Sequence, residues 1–88
     1  MRYDTIIWDM DDDPDGNVQH CADHDISVAE VEDVIEDAIE KDFSRSSNRP
    51  VVFGNTRTGR HLMVVFDEID AHTIYPVTAC EVPRRQRS

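Results

Sequence analysis

The residues with the clearest chemical potential are arginines in the second half of the chain. Residues 43–88 contain seven Arg, no Lys and four acidic side chains, a local charge of +3. A guanidinium can hold a phosphate through two parallel hydrogen bonds, which a lysine ammonium cannot do. Residues 1–42 hold fifteen acidic side chains against Arg2 and Lys41, a local charge of −13. This asymmetry indicates an interaction surface, although an acidic face can also serve solubility alone.

Two other patterns have the spacing of metal ligands. The run Asp11–Gly16 places Asp at the first, third and fifth positions of a calcium loop and Gly at the sixth, but the twelfth position is Ala22 instead of a bidentate Glu. His20 and His24 are four residues apart and would share one side of a helix, yet two ligands do not complete a zinc site. The sequence therefore predicts neither a bound metal nor a cofactor.

The compartment and the domain count follow from hydropathy and length. No stretch approaches the roughly 20 apolar residues of a membrane span, and the N-terminal residues lack the apolar core of a signal peptide. We therefore expect a cytoplasmic protein that does not contact a membrane, with Cys21 and Cys80 as free thiols. The 88 residues correspond to a single domain, with an ordered core at about residues 3–83.

A helix over residues 27–40 is the best-defined element that could position functional side chains. Ser27 and Glu30 have the spacing of a capping box, in which each side chain bonds the other residue's backbone N–H. The apolar residues that follow recur at helical spacing: Val31, Val34, Ile35, Ala38 and Ile39. The opposite side of the helix is almost entirely acidic.

The other predicted elements are short. They are a strand at Tyr3–Trp8, a helix at Asn17–His24, and strands at Pro50–Gly54, Arg60–Asp67 and Thr73–Val82. Residues Asp42–Arg49 are expected to form a polar connection. Pro76 cannot donate a ladder hydrogen bond, so the last strand should lie at an edge or carry a bulge there. The expected fold class is α+β, in the order β-α-α-β-β-β, with two helices packed on a small antiparallel sheet.

Several short motifs within these elements match one known family. They are Trp8-Asp9, Asn17, His24–Ser27, Gly54, Thr58–Arg60, Leu62–Phe66 and Ile74–Ala79. Their order across about residues 6–85 resembles the BrnT-type toxins of bacterial toxin–antitoxin pairs. The resemblance implies a RelE-like fold, cleavage of RNA, and a cognate antitoxin protein as partner.

The resemblance also implies roles for individual residues. Arg60 corresponds to the arginine after the turn glycine, His24 to the helix histidine, and Thr78 to the hydroxyl before the closing alanine; these are the implied catalytic residues. Such residues would activate the ribose 2′-hydroxyl and stabilise charge on phosphorus. The implied RNA-binding residues are Arg45, Arg57, Tyr75, Arg84 and Arg85.

The chain departs from the family pattern at several positions, including the run Asp11–Asp13, where the family more often has Lys. Cys80 stands where the family usually has Arg, Asp23 where it has a basic residue, and Asp25 where it has Gly. Three functions therefore stay open: a ribonuclease toxin, a non-catalytic protein-interaction module of the same fold, and a small calcium-binding or structural domain. The second would use the acidic helix to recruit its partner.

Overall fold

Two helices lie on one face of a five-stranded mixed sheet in the computed structural model, which describes residues 3–38, 41–43 and 48–83. The elements in chain order are β1 (Thr5–Ile6), α1 (Asn17–Asp23), α2 (Val28–Asp37), β2 (Lys41–Phe43), β3 (Pro50–Asn55), β4 (His61–Asp70) and β5 (Thr73–Glu81). The strands are arranged in the order β1-β5-β4-β3-β2. The α+β class expected from the sequence is therefore confirmed. Neither described helix is long and apolar enough to cross a bilayer.

The sheet differs from the antiparallel one expected from the sequence. β1 runs parallel to β5, with Thr5 opposite Thr73, whereas the other pairs are antiparallel. A parallel pair needs a long crossover, and here both helices and the other strands lie between the two partners. The additional strand β2 occupies part of the expected polar connection. It forms because Asp42 and its neighbours pair with the apolar strand β3, which their own sequence does not reveal.

Helix α2 begins as the sequence predicts. The Ser27 hydroxyl accepts from the backbone N–H of Glu30, and the Glu30 carboxylate accepts from the backbone N–H of Ser27, which completes the capping box. The helix ends earlier than predicted, at Asp37, because Ala38 has an extended backbone. Residues 39 and 40 lie outside the described residues.

The core lies between the helices and one side of the sheet. The helical side chains in it are Cys21, Val31, Val34 and Ile35, and the sheet contributes Val52, Leu62, Val64, Phe66, Ile74 and Ala79. Burial of each large aliphatic or aromatic side chain is worth about 1.5–3 kcal/mol. Gly54 allows α2 to approach β3 closely, because a Cβ at this position would lie 2.9 Å from the Val34 carbonyl oxygen.

Pro76 lies at a bulge, as predicted. The register passes from Val65 opposite Thr78 to Phe66 opposite Pro76, so Val77 has no direct partner on β4. The extra residue accommodates the missing N–H of proline within a strand that has neighbours on both sides.

Candidate functional site

Arg60, the first candidate catalytic residue, is held by three oxygen atoms. Its Nη1 donates to Glu30 Oε2 at 2.7 Å and to the backbone oxygen of Asp25 at 2.9 Å. Its Nη2 donates to Glu81 Oε1 at 3.0 Å, and the side chain is 25% exposed. The guanidinium therefore joins the start of α2 to the end of β5.

These contacts neutralise the charge that RNA cleavage would need. Hydrogen bonds from Arg60 to Glu30 and then to Glu81 raise the pKa of the guanidinium. Burial raises the pKa of Glu30, but hydrogen bonds from Ser27 and Arg60 outweigh it, so that the pKa of this carboxyl is lowered. A phosphate approaching Arg60 would have to displace a carboxylate and would meet the remaining negative charge.

The structure places Thr78 apart from Arg60, whereas His24 directly precedes Asp25, whose carbonyl oxygen accepts from Arg60. His24 is exposed and ends α1, where its backbone N–H donates to the Cys21 carbonyl. Thr78 is paired with Val65 on the side of the sheet that faces away from the helices. Arg60 instead reaches toward the helices, so a single substrate phosphate could not contact Arg60 and Thr78 from one surface.

Two of the five expected RNA-binding residues are among the described ones. Arg57 is 82% exposed in the turn between β3 and β4, and its Nε lies 3.2 Å from Asp33 Oδ1. The Tyr75 hydroxyl donates to Asp9 Oδ2, so its polar end is already bonded within the protein. Arg45, Arg84 and Arg85 lie outside the described residues.

A hydrogen-bonded network around Asn17 was not anticipated from the sequence. Asn17 is 1% exposed, and its Nδ2 donates to the carbonyl oxygens of Ile7 and Pro76, each at 2.9 Å. Its Oδ1 accepts from the Asp9 backbone N–H at 2.9 Å, and the Asp9 carboxylate accepts from the Asn17 backbone N–H at 3.0 Å. The network fastens the segment after β1 and the start of α1 to β5. The only sequence signal was that these residues belong to the motifs that carry the family resemblance.

The same network shifts the pKa values of Asp9 and Tyr75. The hydrogen bond from Tyr75, followed by that from the Asn17 backbone, lowers the pKa of Asp9. In return, the bond to Asp9 and burial raise the pKa of Tyr75 to about 12. Both groups are thus stabilised in their ordinary neutral-pH forms, ionised Asp and un-ionised Tyr, which is typical of an architectural contact and not of an acid–base catalyst.

A groove of about 700 Å³ lies between β1 and α2. Its lining residues are Tyr3, Asp4, Ile6, Ala29, Glu32, Asp33, Ile35, Glu36 and Arg57. The aliphatic members are Ile6, Ala29 and the buried Ile35, and most of the exposed lining is polar, with Asp4, Glu32 and Glu36 exposed. Trp8 lies beside the groove, with its indole Nε1 donating to Glu32 Oε2 at 3.3 Å. Four carboxylates against one guanidinium make the described lining attractive to cations and repulsive to phosphate.

The acidic side of the groove is partly organised by the neighbouring turn. Asp33 Oδ2 accepts from the Arg57 backbone N–H at 3.2 Å, and Asp37 Oδ2 accepts from the Asn55 backbone N–H at 2.7 Å. The acidic side of α2 therefore positions the β3–β4 turn. Glu32 and Glu36 remain exposed at the groove.

No metal centre is assembled in the described part of the chain. There, no group of three or more His, Cys, Asp or Glu side chains is placed to hold an ion. In the acidic loop, the Asp13 carboxylate accepts from the Asp15 backbone N–H at 3.0 Å, which makes a turn within the loop itself.

No protein-family model matches the chain, and neither a curated protein nor a solved structure is significantly similar to it. A function therefore has to be inferred from the geometry of its residues.

Proposed function

We propose that this chain is a divergent BrnT-like domain of RelE-like fold that acts by binding a protein partner and not by cutting RNA. The observation that carries the proposal is the groove between β1 and α2, in which a few aliphatic side chains lie among exposed carboxylates. A cationic amphipathic segment would place its apolar side chains against the aliphatic ones and its basic side chains against the carboxylates. In a toxin–antitoxin pair, the antitoxin would supply that segment.

The charges specify the chemistry of the partner. Glu32 and Glu36 are exposed on one side of the groove, and Asp4 lies on the other. Lys or Arg side chains spaced along one side of a helix or strand would complement these carboxylates. Such pairs contribute more to the rate of association and to specificity than to affinity, so binding is expected to weaken as salt concentration rises.

The proposal is also supported by the state of the candidate catalytic residues. Arg60 is bonded to two carboxylates, Tyr75 to a third, and Thr78 lies on the opposite side of the sheet from the arginine. An RNA-cleaving site needs cationic groups that are free to meet phosphate as charge develops. Among the described arginines with candidate roles, Arg57 alone is mostly exposed, and it faces two carboxylates.

The test measures binding of a cationic amphipathic probe, a helical peptide with Leu along one side and Lys on the other. Calorimetry on the wild type should show binding that weakens between low and moderate salt. The double variant Glu32→Gln, Glu36→Gln should bind several-fold more weakly, because exposed charge pairs are each worth about 0.2–1 kcal/mol. Glutamine keeps an acceptor for the Trp8 indole, so the variant retains the local hydrogen bond.

The matched control is Asp12→Asn, Asp23→Asn, which removes the same charge from exposed positions outside the groove. If this control weakens binding as much as the groove variant does, the peptide is responding to net charge and the proposed site is wrong.

Ribonuclease activity is the second candidate, favoured by the exposed guanidinium of Arg57 beside the turn. It is tested by expressing the wild type alone and by incubating the purified protein with RNA at low salt, where phosphate contacts are strongest. Growth arrest and cleavage that are lost in Arg57→Ala or Arg60→Ala would establish the catalytic function in place of the binding one.

A further inference from the structure

The side of the sheet that faces away from the helices is largely apolar, and its exposure ranges from 3% at Val51 and 8% at Val65 to 44% at Phe53. The register defines its members, because directly opposed residues share a side: Val51 with Val65, Phe53 with Met63, Met63 with Cys80, and Val65 with Thr78. The alternating residues of the same strands, including Val52, Val64 and Ala79, belong to the core beneath the helices. We refer to these six outward residues as the open face.

An exposed aromatic ring, Phe53, lies on the β3 side of this face, opposite Met63 on the central strand β4. The Phe53 side chain is 44% exposed, although a strand residue of this size is ordinarily buried. Its ring stacks on that of His61, with centroids 6.4 Å apart and planes inclined by 20°. Exposed aromatic and Met side chains are enriched in protein interfaces. The open face therefore has the composition of an interface.

We propose that the open face is the interface of a homodimer, in which two copies pack sheet against sheet. The charge distribution argues for a second copy as the occupant. The net charge of −10 is concentrated in the first half of the chain, and α2 carries its carboxylates on the side away from the open face. Sheet-to-sheet packing would leave the two acidic helices on opposite outer surfaces, in a four-layer α-β-β-α arrangement.

The other arrangements are electrostatically worse. Packing through the helices would bring the acidic surfaces of both copies together. A nucleic acid on the open face would find the flanking Arg49 already bonded to Asp67, at 2.9 Å, and the carboxylate of Asp42 at the outer strand. A nearly uncharged surface is complementary to itself, which a two-fold symmetric interface requires.

The size of the face sets the expected affinity. Three strands at ordinary spacing, each with two of the six residues, give a patch of about 14 by 13 Å. This is well below the about 800 Å² per partner of a standard interface, so weak association with dissociation at high micromolar concentration is expected. The dimer would therefore form at high protein concentration and dissociate on dilution.

The test is sedimentation equilibrium across about 5–500 µM protein, a range chosen to bracket micromolar affinity. The apparent mass should rise from the chain mass of 10.1 kDa toward twice that value. Phe53→Ser and Thr78→Lys should each weaken association at least tenfold, the first by removing the exposed ring and the second by introducing a positive charge into each copy of the face. The control Met10→Ser removes a 74% exposed apolar side chain outside the face and should associate like the wild type.

Thiol reactivity provides a second measurement on the wild type. Cys21 is fully buried in the core, whereas Cys80 is half-buried on the open face. Reaction of Cys80 with a maleimide should slow as protein concentration rises, because the dimer covers this thiol. Circular dichroism establishes that each variant is folded, and the use of two different substitutions keeps the result interpretable if one of them unfolds.

Three results would overturn the proposal. The first is a monomer throughout the concentration range. The second is equal association of the wild type, Phe53→Ser and Thr78→Lys. The third is binding of an RNA oligonucleotide by the monomer that Phe53→Ser abolishes. The groove variants Glu32→Gln, Glu36→Gln should leave the mass unchanged, which separates this proposal from the proposed function.

Discussion

At the scale of single residues, Arg60 illustrates how neighbours decide what a charged side chain can do. Its partners Glu30 and Glu81 are 30 and 21 residues away in sequence. The sequence alone indicates a phosphate ligand at Arg60, because no neighbouring residue in the sequence suggests a carboxylate partner for its guanidinium. The long-range carboxylates could not be predicted, since they depend on how α2 and β5 are placed around it.

We expect Arg60→Ala to lower the thermal midpoint by several degrees, because the substitution leaves Glu30 and Glu81 without their cation. Arg60→Lys should be intermediate, since an ammonium keeps the charge but cannot bond both carboxylates and the Asp25 carbonyl in the same geometry. Thermal unfolding followed by circular dichroism measures both effects.

Arg57→Ala is the control for this series. Its guanidinium is 82% exposed, and exposed pairs contribute little. If Arg60→Ala and Arg57→Ala have the same thermal midpoint, the contacts of Arg60 do not stabilise the fold.

The two tyrosines allow two hydrogen bonds to be tested, from Tyr3 to Glu68 and from Tyr75 to Asp9. Burial and a hydrogen bond to Glu68 raise the pKa of Tyr3 to about 12, and the bond to Asp9 raises that of Tyr75 to about 12. Absorbance at 295 nm should therefore show little tyrosinate at pH 10–11 in the folded protein, where a model tyrosine is at least half ionised. Denatured protein should titrate near pH 10.

The sign of the stability effect follows from these shifts. A phenol whose pKa is higher in the folded state contributes stability that is complete below pH 10 and is lost as pH rises toward 12. Tyr75→Phe should therefore flatten the decline in unfolding free energy between these values. An unchanged alkaline profile in Tyr75→Phe would contradict the assigned contact with Asp9.

At the scale of elements, local sequence patterns predicted helix α2. They did not predict the two outer edges of the sheet, the strand β2 and the parallel pairing of β1. The capping box and the apolar stripe are complete within one short segment, so the sequence alone specifies where the helix begins and which side is buried. β2 has three residues and no alternation of its own, and it exists because β3 lies beside it. Likewise, β5, the parallel partner of β1, comes near the other end of the sequence, so no local pattern predicts the pairing.

Gly54 should be the most sensitive position for the docking of α2 on β3. A methyl group in Gly54→Ala would lie 2.9 Å from the Val34 carbonyl oxygen and 3.1 Å from Asp37 Oδ2. Because the nearer atom is backbone, the helix has to shift, and overpacking of this kind typically costs about 1–3 kcal/mol. The urea concentration at which half of the protein is unfolded should be lower for Gly54→Ala than for the wild type.

The double variant Gly54→Ala, Val34→Ala distinguishes this cause from crowding by side chains. Trimming Val34 leaves its carbonyl in place, so the double variant should not recover stability. Recovery to the level of Val34→Ala alone would show that the side chain, and not the backbone, limits the approach.

At the scale of the whole molecule, the net charge of −10 is expected to weaken the fold at low ionic strength. Screening by salt reduces repulsion among the carboxylates of the first half, so the thermal midpoint should rise as NaCl is added up to about 0.2 M, where the Debye length falls below about 8 Å. A midpoint that falls over this range would show that ion pairs such as those of Arg60 dominate over the repulsion.

The same measurement tests the acidic loop as a calcium site. CaCl2 and MgCl2 at equal concentration should raise the midpoint equally, because the loop lacks a twelfth-position ligand and the Asp13 carboxylate bonds within the loop. A larger rise with CaCl2 that disappears in Asp11→Asn, Asp13→Asn would establish calcium binding there.

The pairing of β1 with β5 also determines when the domain can fold during its synthesis. Thr5 is made early, but its partner Thr73 leaves the ribosome only after both helices and β4 have emerged. Until then, the apolar side of α2 and the free edge of β4 lack the strand that completes their shared core, a state that favours aggregation. The acidic first half has emerged by that stage, and its charge of −13 disfavours association between nascent chains on neighbouring ribosomes. We therefore expect the excess of carboxylates to limit aggregation during translation, before either the groove or the completed sheet exists.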